Sequence, residues 1–446
     1  MKKIRNLSES NFLKLFFAFI SLCFLIAAVC MPDRATMFEG LWKIQITPCR
    51  VTTNYFSVGG YAATFLNMGL VGLVCLGLFH FLKANVNNVS TLAFLLTVGF
   101  CSWGINLINI IPTMLGVVLY AFVKKEKLGG LVNAMLFSTG IAPIITDLLF
   151  RYPAAEVIGL NWLGALLALV TGLLIGFCLP AGLAHAPNVH KGYDLYSAAV
   201  PVGMTAFLLN AIFFKAPGLT QGALLSDMSV ASGMIVNIFC GAVFVVCIVF
   251  ALLLGCTPKA YWRMLRDKDH VASVSAKYGN GVMLMNVGVF GLFILAYYNL
   301  VGASFNGVTF GIIFCMLACC NSGSNPKTVL PIMAGYVVAS LVSGLISKAT
   351  GGEFSMAINA QGILVGLCYA NGLSPITSKY GWPYSFVASM AHYCMVTMVP
   401  SLHGGFCLYN GGFTAALVCL ILVPPMEKFF RSKAERLAAR AAKKAE

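Results

Sequence analysis

Apolar stretches follow one another along this chain with almost no charge inside them. They fall at about 11–31, 55–82, 90–103, 107–123, 131–150, 160–183, 193–214, 231–256, 281–300, 306–320, 327–347, 354–374, 382–400 and 406–426. An apolar helix of roughly 20 residues is long enough to cross the hydrocarbon core of a bilayer. Inside that core every backbone N–H and C=O must find a partner within the protein, which leaves helices or closed barrels. The series predicts an all-α, polytopic transmembrane helical protein of about 12–14 spans. Composition agrees: 59% of the 446 residues are hydrophobic and 10% charged, too little charge to cover a soluble surface of this size.

The formal charge of +15 would suit nucleic acid, but its distribution argues for a lipid bilayer instead. Basic residues gather at Lys2–Lys14, Lys124–Lys127, Lys259–Lys277 and Lys428–Lys444, in flanks and loops. That is the pattern of cytoplasmic segments facing anionic headgroups, and it places both termini in the cytoplasm. The first apolar run, Phe12 to Met31, is long for a signal peptide and reads as a retained helix of the cell membrane. The 16 cysteines are scattered singly, with no CxxC, and read as small buried apolar residues. No cofactor or metal is implied.

The polar residues among the apolar runs occur twice. NMGLVGL at 67–73 matches NVGVFGL at 286–292, and CSWGINLINIIPTMLG at 101–116 matches CNSGSNPKTVLPIMAG at 320–335. GIAPI (140–144) then matches GLSPI (372–376), and HKGYDLYS (190–197) matches HGGFCLYN (403–410). Matched Leu and Val would be expected of any two membrane helices; matched Asn, Pro and His in the same order point to a duplication. The reading divides the chain into an N-terminal helix and external loop (1–56), repeat 1 (57–214), a linker helix and basic loop (215–280), repeat 2 (281–426) and a basic tail (427–446). With the basic clusters inside, the second repeat starts from the opposite side to the first, giving two inverted repeats with broken helices.

Such breaks are tolerated in a bilayer only where protein or water satisfies the freed backbone, so they mark an interior. Candidate pathway residues are therefore Asn67, Gly69, Asn286 and Gly288, the broken pairs Gly104 with Asn106 and Gly323 with Asn325, and His190, Tyr196, His403, Tyr409 and Asn410. Glycines here also suit close helix packing, and the Asn side chains also suit helix capping. The His/Tyr phrases are expected at opposite mouths. Asp147 and Asp194 are the acidic residues nearest the apolar segments, at positions that suit an interface. Neither has an acidic counterpart, since Asp147 aligns with Lys379 and Asp194 with Cys407, which argues against an antiporter with a paired buried carboxylate. Scarce carboxylates and the lack of a Walker A or HExxH sequence argue against an enzyme.

With the HxGYxLY, GxNxxxxxP and NxGxxGL phrases in hand, the chain resembles the bacterial integral membrane family called domain of unknown function 1576, over most of residues 50–426. The resemblance implies a prokaryotic integral membrane protein and brings no assigned substrate. A more distant likeness is to urea transporters, through Asn67–Leu73 and Asn359–Leu367 (NAQGILVGL). It implies a channel-like facilitator of a small neutral solute. The expectation is a transporter or facilitator for a small polar solute, passing between the two repeats, possible as a homo-oligomer. The alternative is a membrane enzyme or scaffold that handles a lipid.

Overall fold

The computed structural model describes residues 7–222, 232–267 and 270–445, so the expectations at Lys2, Lys3, Arg5 and residues 268–269 lie outside the described residues. All regular structure among them is helical. The chain begins with α1 (Glu9–Cys30), α2 (Met37–Ile46), α3 (Tyr61–Phe81), α4 (Asn88–Phe100) and α5 (Ile110–Lys124). There follow α6 (Val132–Ser138), α7 (Pro143–Phe150), α8 (Trp162–His190) and α9 (Ala199–Asn210). The second part holds α10 (Gly233–Leu253), α11 (Pro258–Leu265), α12 (Asn280–Leu300), α13 (Gly307–Leu317) and α14 (Pro326–Thr350). It ends with α15 (Gln361–Ala370), α16 (Ser374–Lys379), α17 (Trp382–Val396), α18 (Asn410–Phe429) and α19 (Lys433–Ala445).

Among the described residues seven helices are long and apolar enough to cross a membrane: α1, α3, α8, α10, α12, α14 and the helix that starts at Asn410. An eighth span results if α6 and α7, which meet at a 51° bend, count as one. The 12–14 spans expected from apolar runs are not all helices of spanning length. Segments 90–103, 107–123 and 306–320 form helices of 10–17 residues; α4, at 13 residues, is about 20 Å long. Short apolar runs predict crossings, but the helices they form fall below spanning length.

Where the short helices start is set locally. Asn87 caps α4 in a capping box with Ser90, and Asn306 caps α13 in the same way with Thr309. Pro143 and Pro375 each occupy the first turn of a helix, where a missing N–H costs nothing. α4 and α13 then pack side by side in opposite directions. Asn88 and Thr91 near the start of α4 bond Ser322 and Asn321 beyond the end of α13, at 3.2 and 3.3 Å. At the other end, Ser102 Oγ donates to Gly307 O at 2.6 Å. Gly99 and Gly311 make this approach possible, because a Cβ on either would meet the other's carbonyl oxygen, at 2.7 and 2.3 Å.

α1 packs along α3, and α10 along α12. Gly69 and Gly72 face Leu25 and Ser21 of α1, while Gly288 and Gly291 face Ile248 and Phe244 of α10. The 231–256 segment, expected as a linker helix, thus flanks α12 as the N-terminal helix flanks α3.

Candidate functional site

Two cavities lie at opposite ends of the α4/α13 pair. The first, about 780 Å³, is lined by Lys83, Asn85, Asn87, Lys127, Gly129, Gly130 and Asn133, beside the start of α4. The second, about 540 Å³, is lined by residues including Arg50, Thr52, Lys215, Gln361, Gly362, Val365, Ser401 and Asn410. Gln361 Oε1 accepts from Asn306 Nδ2 at 2.7 Å, which puts this cavity beside the start of α13. Because α4 and α13 are antiparallel, the two openings are at opposite ends. The loop 257–280 belongs to the first end, since Asn88 Nδ2 donates to Ala272 O at 2.9 Å.

Broken backbone follows both α4 and α13, one break at each end of the pair. Asn67 Nδ2 donates to Cys101 O and Ile105 O, both at 2.8 Å. Asn286 Nδ2 does the same to Cys320 O and Ser324 O, at 2.9 and 2.8 Å. Each amide replaces helix hydrogen bonds lost at the interruption, which an apolar environment would otherwise leave unmade. Asn67 Oδ1 accepts from Gln45, and Asn286 Oδ1 from Tyr261. Asn106 Oδ1 accepts from the Ile108 and Asn109 amides, and its Nδ2 donates to Ile44 O. Asn325 caps α14 through the Lys327 and Thr328 amides. Gly104 O accepts from Asn109 Nδ2, and Gly323 turns the chain with φ +96°. Asn325 and Gly323 also line a small cleft with Lys327, Thr377 and Lys433.

The repeated His/Tyr phrases have a shared role that their spacing did not reveal. Leu195 N–H donates to Gly372 O at 3.0 Å, and Leu408 N–H donates to Gly140 O at 2.9 Å. Each phrase thus closes the bend in the other part of the chain. Gly140 and Gly372 are required there: a Cβ would lie 2.0 Å from the Tyr409 ring and 2.4 Å from the Asp194 carboxylate. Tyr196 and Tyr409 are fully buried rather than set at mouths. His190 lies beside the surface pair Lys191–Glu427, and His403 beside Gly404 and Gly405, which line the second cavity.

Side-chain pairing differs between the phrases. His190 Nε2 bonds Ser197 Oγ at 2.9 Å, and Tyr196 Oη donates to Cys315 O at 2.9 Å. Neither ring nitrogen of His403 nor the Tyr409 hydroxyl has a partner among the described residues. Asn410 contributes to the wall of the second cavity.

Asp147 and Asp194 are buried, not interfacial. Asp147 Oδ1 accepts from Arg50 at 3.1 Å and from Arg151 at 3.3 Å. The burial is possible because two guanidinium groups converge on the one carboxylate. Arg151 lies one turn along, but Arg50 comes from a loop 97 residues away, so nothing in the sequence around Asp147 signalled it. Asp194 Oδ1 accepts from the Tyr196 amide at 2.9 Å, as a turn cap. Among the described residues no three His, Cys, Asp or Glu side chains group as metal ligands.

Neither the curated proteins nor the solved structures contain a match to this chain. A family model described as protein of unknown function (DUF1576) matches residues 33–215 and 256–428. With both the His/Tyr phrases and the two helix interruptions inside the matched regions, the chain belongs to that family.

Proposed function

We propose that the protein is a membrane transporter or channel-like facilitator for a small polar solute, with its pathway between two inverted repeats. The observation that carries this reading is the pair of cavities at opposite ends of the α4/α13 pair, the two helices whose freed carbonyls are stapled by Asn67 and Asn286. Secondary transporters place their sites at such interruptions, near the midplane between copies.

Inversion is supported by the antiparallel α4/α13 contact and by the reciprocal Leu195–Gly372 and Leu408–Gly140 bonds. The proposed unit is one helix longer than the sequence phrases suggested, starting at α1 and at α10. Orientation follows from charge. Lys83 and Lys127 share the first end with the 257–280 loop. Lys327 joins them through Leu265 O, and Lys433 of the tail through Thr377 O. The positive-inside rule makes that end cytoplasmic, with the second cavity outside.

In this arrangement Asn410, on the cavity wall, meets the solute first, with His403 and Tyr409 buried behind it, and Asn67, Asn106, Asn286 and Asn325, with Gly104 and Gly323, shape the polar path. Gly69 and Gly288 let the flanking helices approach. The test is flux of small solutes into proteoliposomes, with and without Na⁺ or H⁺ gradients. Val365→Trp in the second cavity should abolish flux that Leu345→Trp, on an exposed face, leaves intact. Equal flux through both variants would remove the proposed pathway.

A further inference from the structure

The second cavity carries an excess of positive charge that a neutral solute does not explain. Arg50 and Arg151 share a single carboxylate, Asp147, and the three side chains are 4%, 6% and 0% exposed. Among the described residues, two guanidinium groups against one carboxylate leave one buried positive charge. A buried charge is costly unless it is paired and hydrogen-bonded. Arg50 has further partners in Gly222 O, at 3.0 Å, and the face of Phe406, at 4.8 Å, but neither supplies negative charge. Its Nε has no acceptor among the described residues.

Arg50 is also on the cavity wall, and Lys215 is the other charged residue there; among the described lining residues none is acidic. Thr52, on the same wall, has a buried hydroxyl without a partner among the described residues. Gln361, Thr397, Ser401 and Asn410 complete a polar rim. A planar guanidinium fork suits a carboxylate or phosphate oxygen pair, and a lysine adds a mobile point charge. We infer that this cavity is an anion site, and that the solute of the proposed pathway carries a carboxylate or phosphate group which Arg50 and Lys215 recognise. This inference rests on the transport reading for the word solute, but the anion site itself does not.

The test uses the full-length protein in proteoliposomes with Ser401→Cys, an exposed wall position. Its modification by a sulfonate-bearing and by a trimethylammonium-bearing methanethiosulfonate is followed by peptide mass spectrometry. A cavity lined by one sign of charge raises counter-ion encounter by about 10-fold or more. The sulfonate reagent should therefore be favoured by about that factor relative to its preference on 2-mercaptoethanol. Lys215→Gln, an exposed change that leaves the fold undisturbed, should lower the preference, and Arg50→Gln in protein of unchanged elution volume should lower it further. Lactate or inorganic phosphate at 10 mM (roughly, any level well above a weak site's dissociation constant) should slow the reaction, whereas lactamide should not. Protection by lactate alone assigns a carboxylate, and by phosphate alone a phosphate. Equal preference for both reagents, or equal protection by lactamide, overturns the anion site. Flux of neutral solutes without charge preference removes this inference and leaves the pathway; anion protection without any flux removes the pathway and leaves the site.

Discussion

The two His/Tyr phrases make the same backbone bond and spend their side chains differently. At 190–197 the histidine is tied to Ser197 and the tyrosine to Cys315 O; at 403–410 the corresponding His403 and Tyr409 atoms are buried without partners among the described residues. The backbone bonds, Leu195 to Gly372 and Leu408 to Gly140, are shared because each closes a bend that either part of the chain must make. The side chains are free to diverge once that task is met. The less satisfied phrase is the one beside the Arg50 cavity. Unmade hydrogen bonds at a buried site are costly to keep, and their presence at that end supports the proposal that a solute binds there.

The sharpest contrast between the two parts is at Asp147 and its aligned residue Lys379. Asp147→Ala strands two buried guanidinium groups and should cost about 3–5 kcal/mol, measured by SDS-induced unfolding in mixed micelles. Lys379 is exposed and lies over Tyr193, so Lys379→Ala should cost less than about 1 kcal/mol. Similar losses at both positions would show that the buried triad is not what distinguishes them.

A second pair should agree rather than differ. Asn67→Ala and Asn286→Ala each orphan two buried carbonyls and should each cost about 1–3 kcal/mol in the same assay. A full loss at one position and none at the other would break the structural equivalence of the two interruptions.

The smallest effect separates the tyrosines. Tyr196→Phe loses the bond to Cys315 O and should cost about 1 kcal/mol. Tyr409→Phe removes a hydroxyl without a partner and should be neutral or slightly stabilising, while reducing flux if that hydroxyl serves the solute. A cost at Tyr409 matching that at Tyr196 would mean the hydroxyl is satisfied after all.

What could be read from the sequence was whatever repeats locally. Apolar runs predicted a helical chain with membrane-spanning helices, and matched Asn, Pro and His residues pointed to Gly104–Asn106 and Gly323–Asn325, which lie between α4 and α5 and between α13 and α14. A run of apolar residues does not give the length of its helix: among the described residues seven helices are of spanning length, and the carbonyls freed beyond α4 and α13 are bonded by Asn67 and Asn286, 34 residues or more away. The candidate residues were chosen as polar or glycine positions in the apolar runs, and their partners were out of sight. Tyr196 meets Cys315 across 119 residues, and Arg50 reaches Asp147 across 97. Nothing in the spacing of Arg50 marked it, although a lone arginine beside a break between apolar runs was a signal that charge counting by cluster passed over.

The opposed cavities can be tested in one labelling experiment. Asn85→Cys lies on the wall of the first cavity and Gln361→Cys on the wall of the second. A membrane-impermeant maleimide is applied to intact spheroplasts and to inside-out vesicles, and the modified peptides are read by mass spectrometry. The account predicts that Gln361→Cys is modified only in spheroplasts and Asn85→Cys only in inverted vesicles. Modification of both from the same side would contradict it.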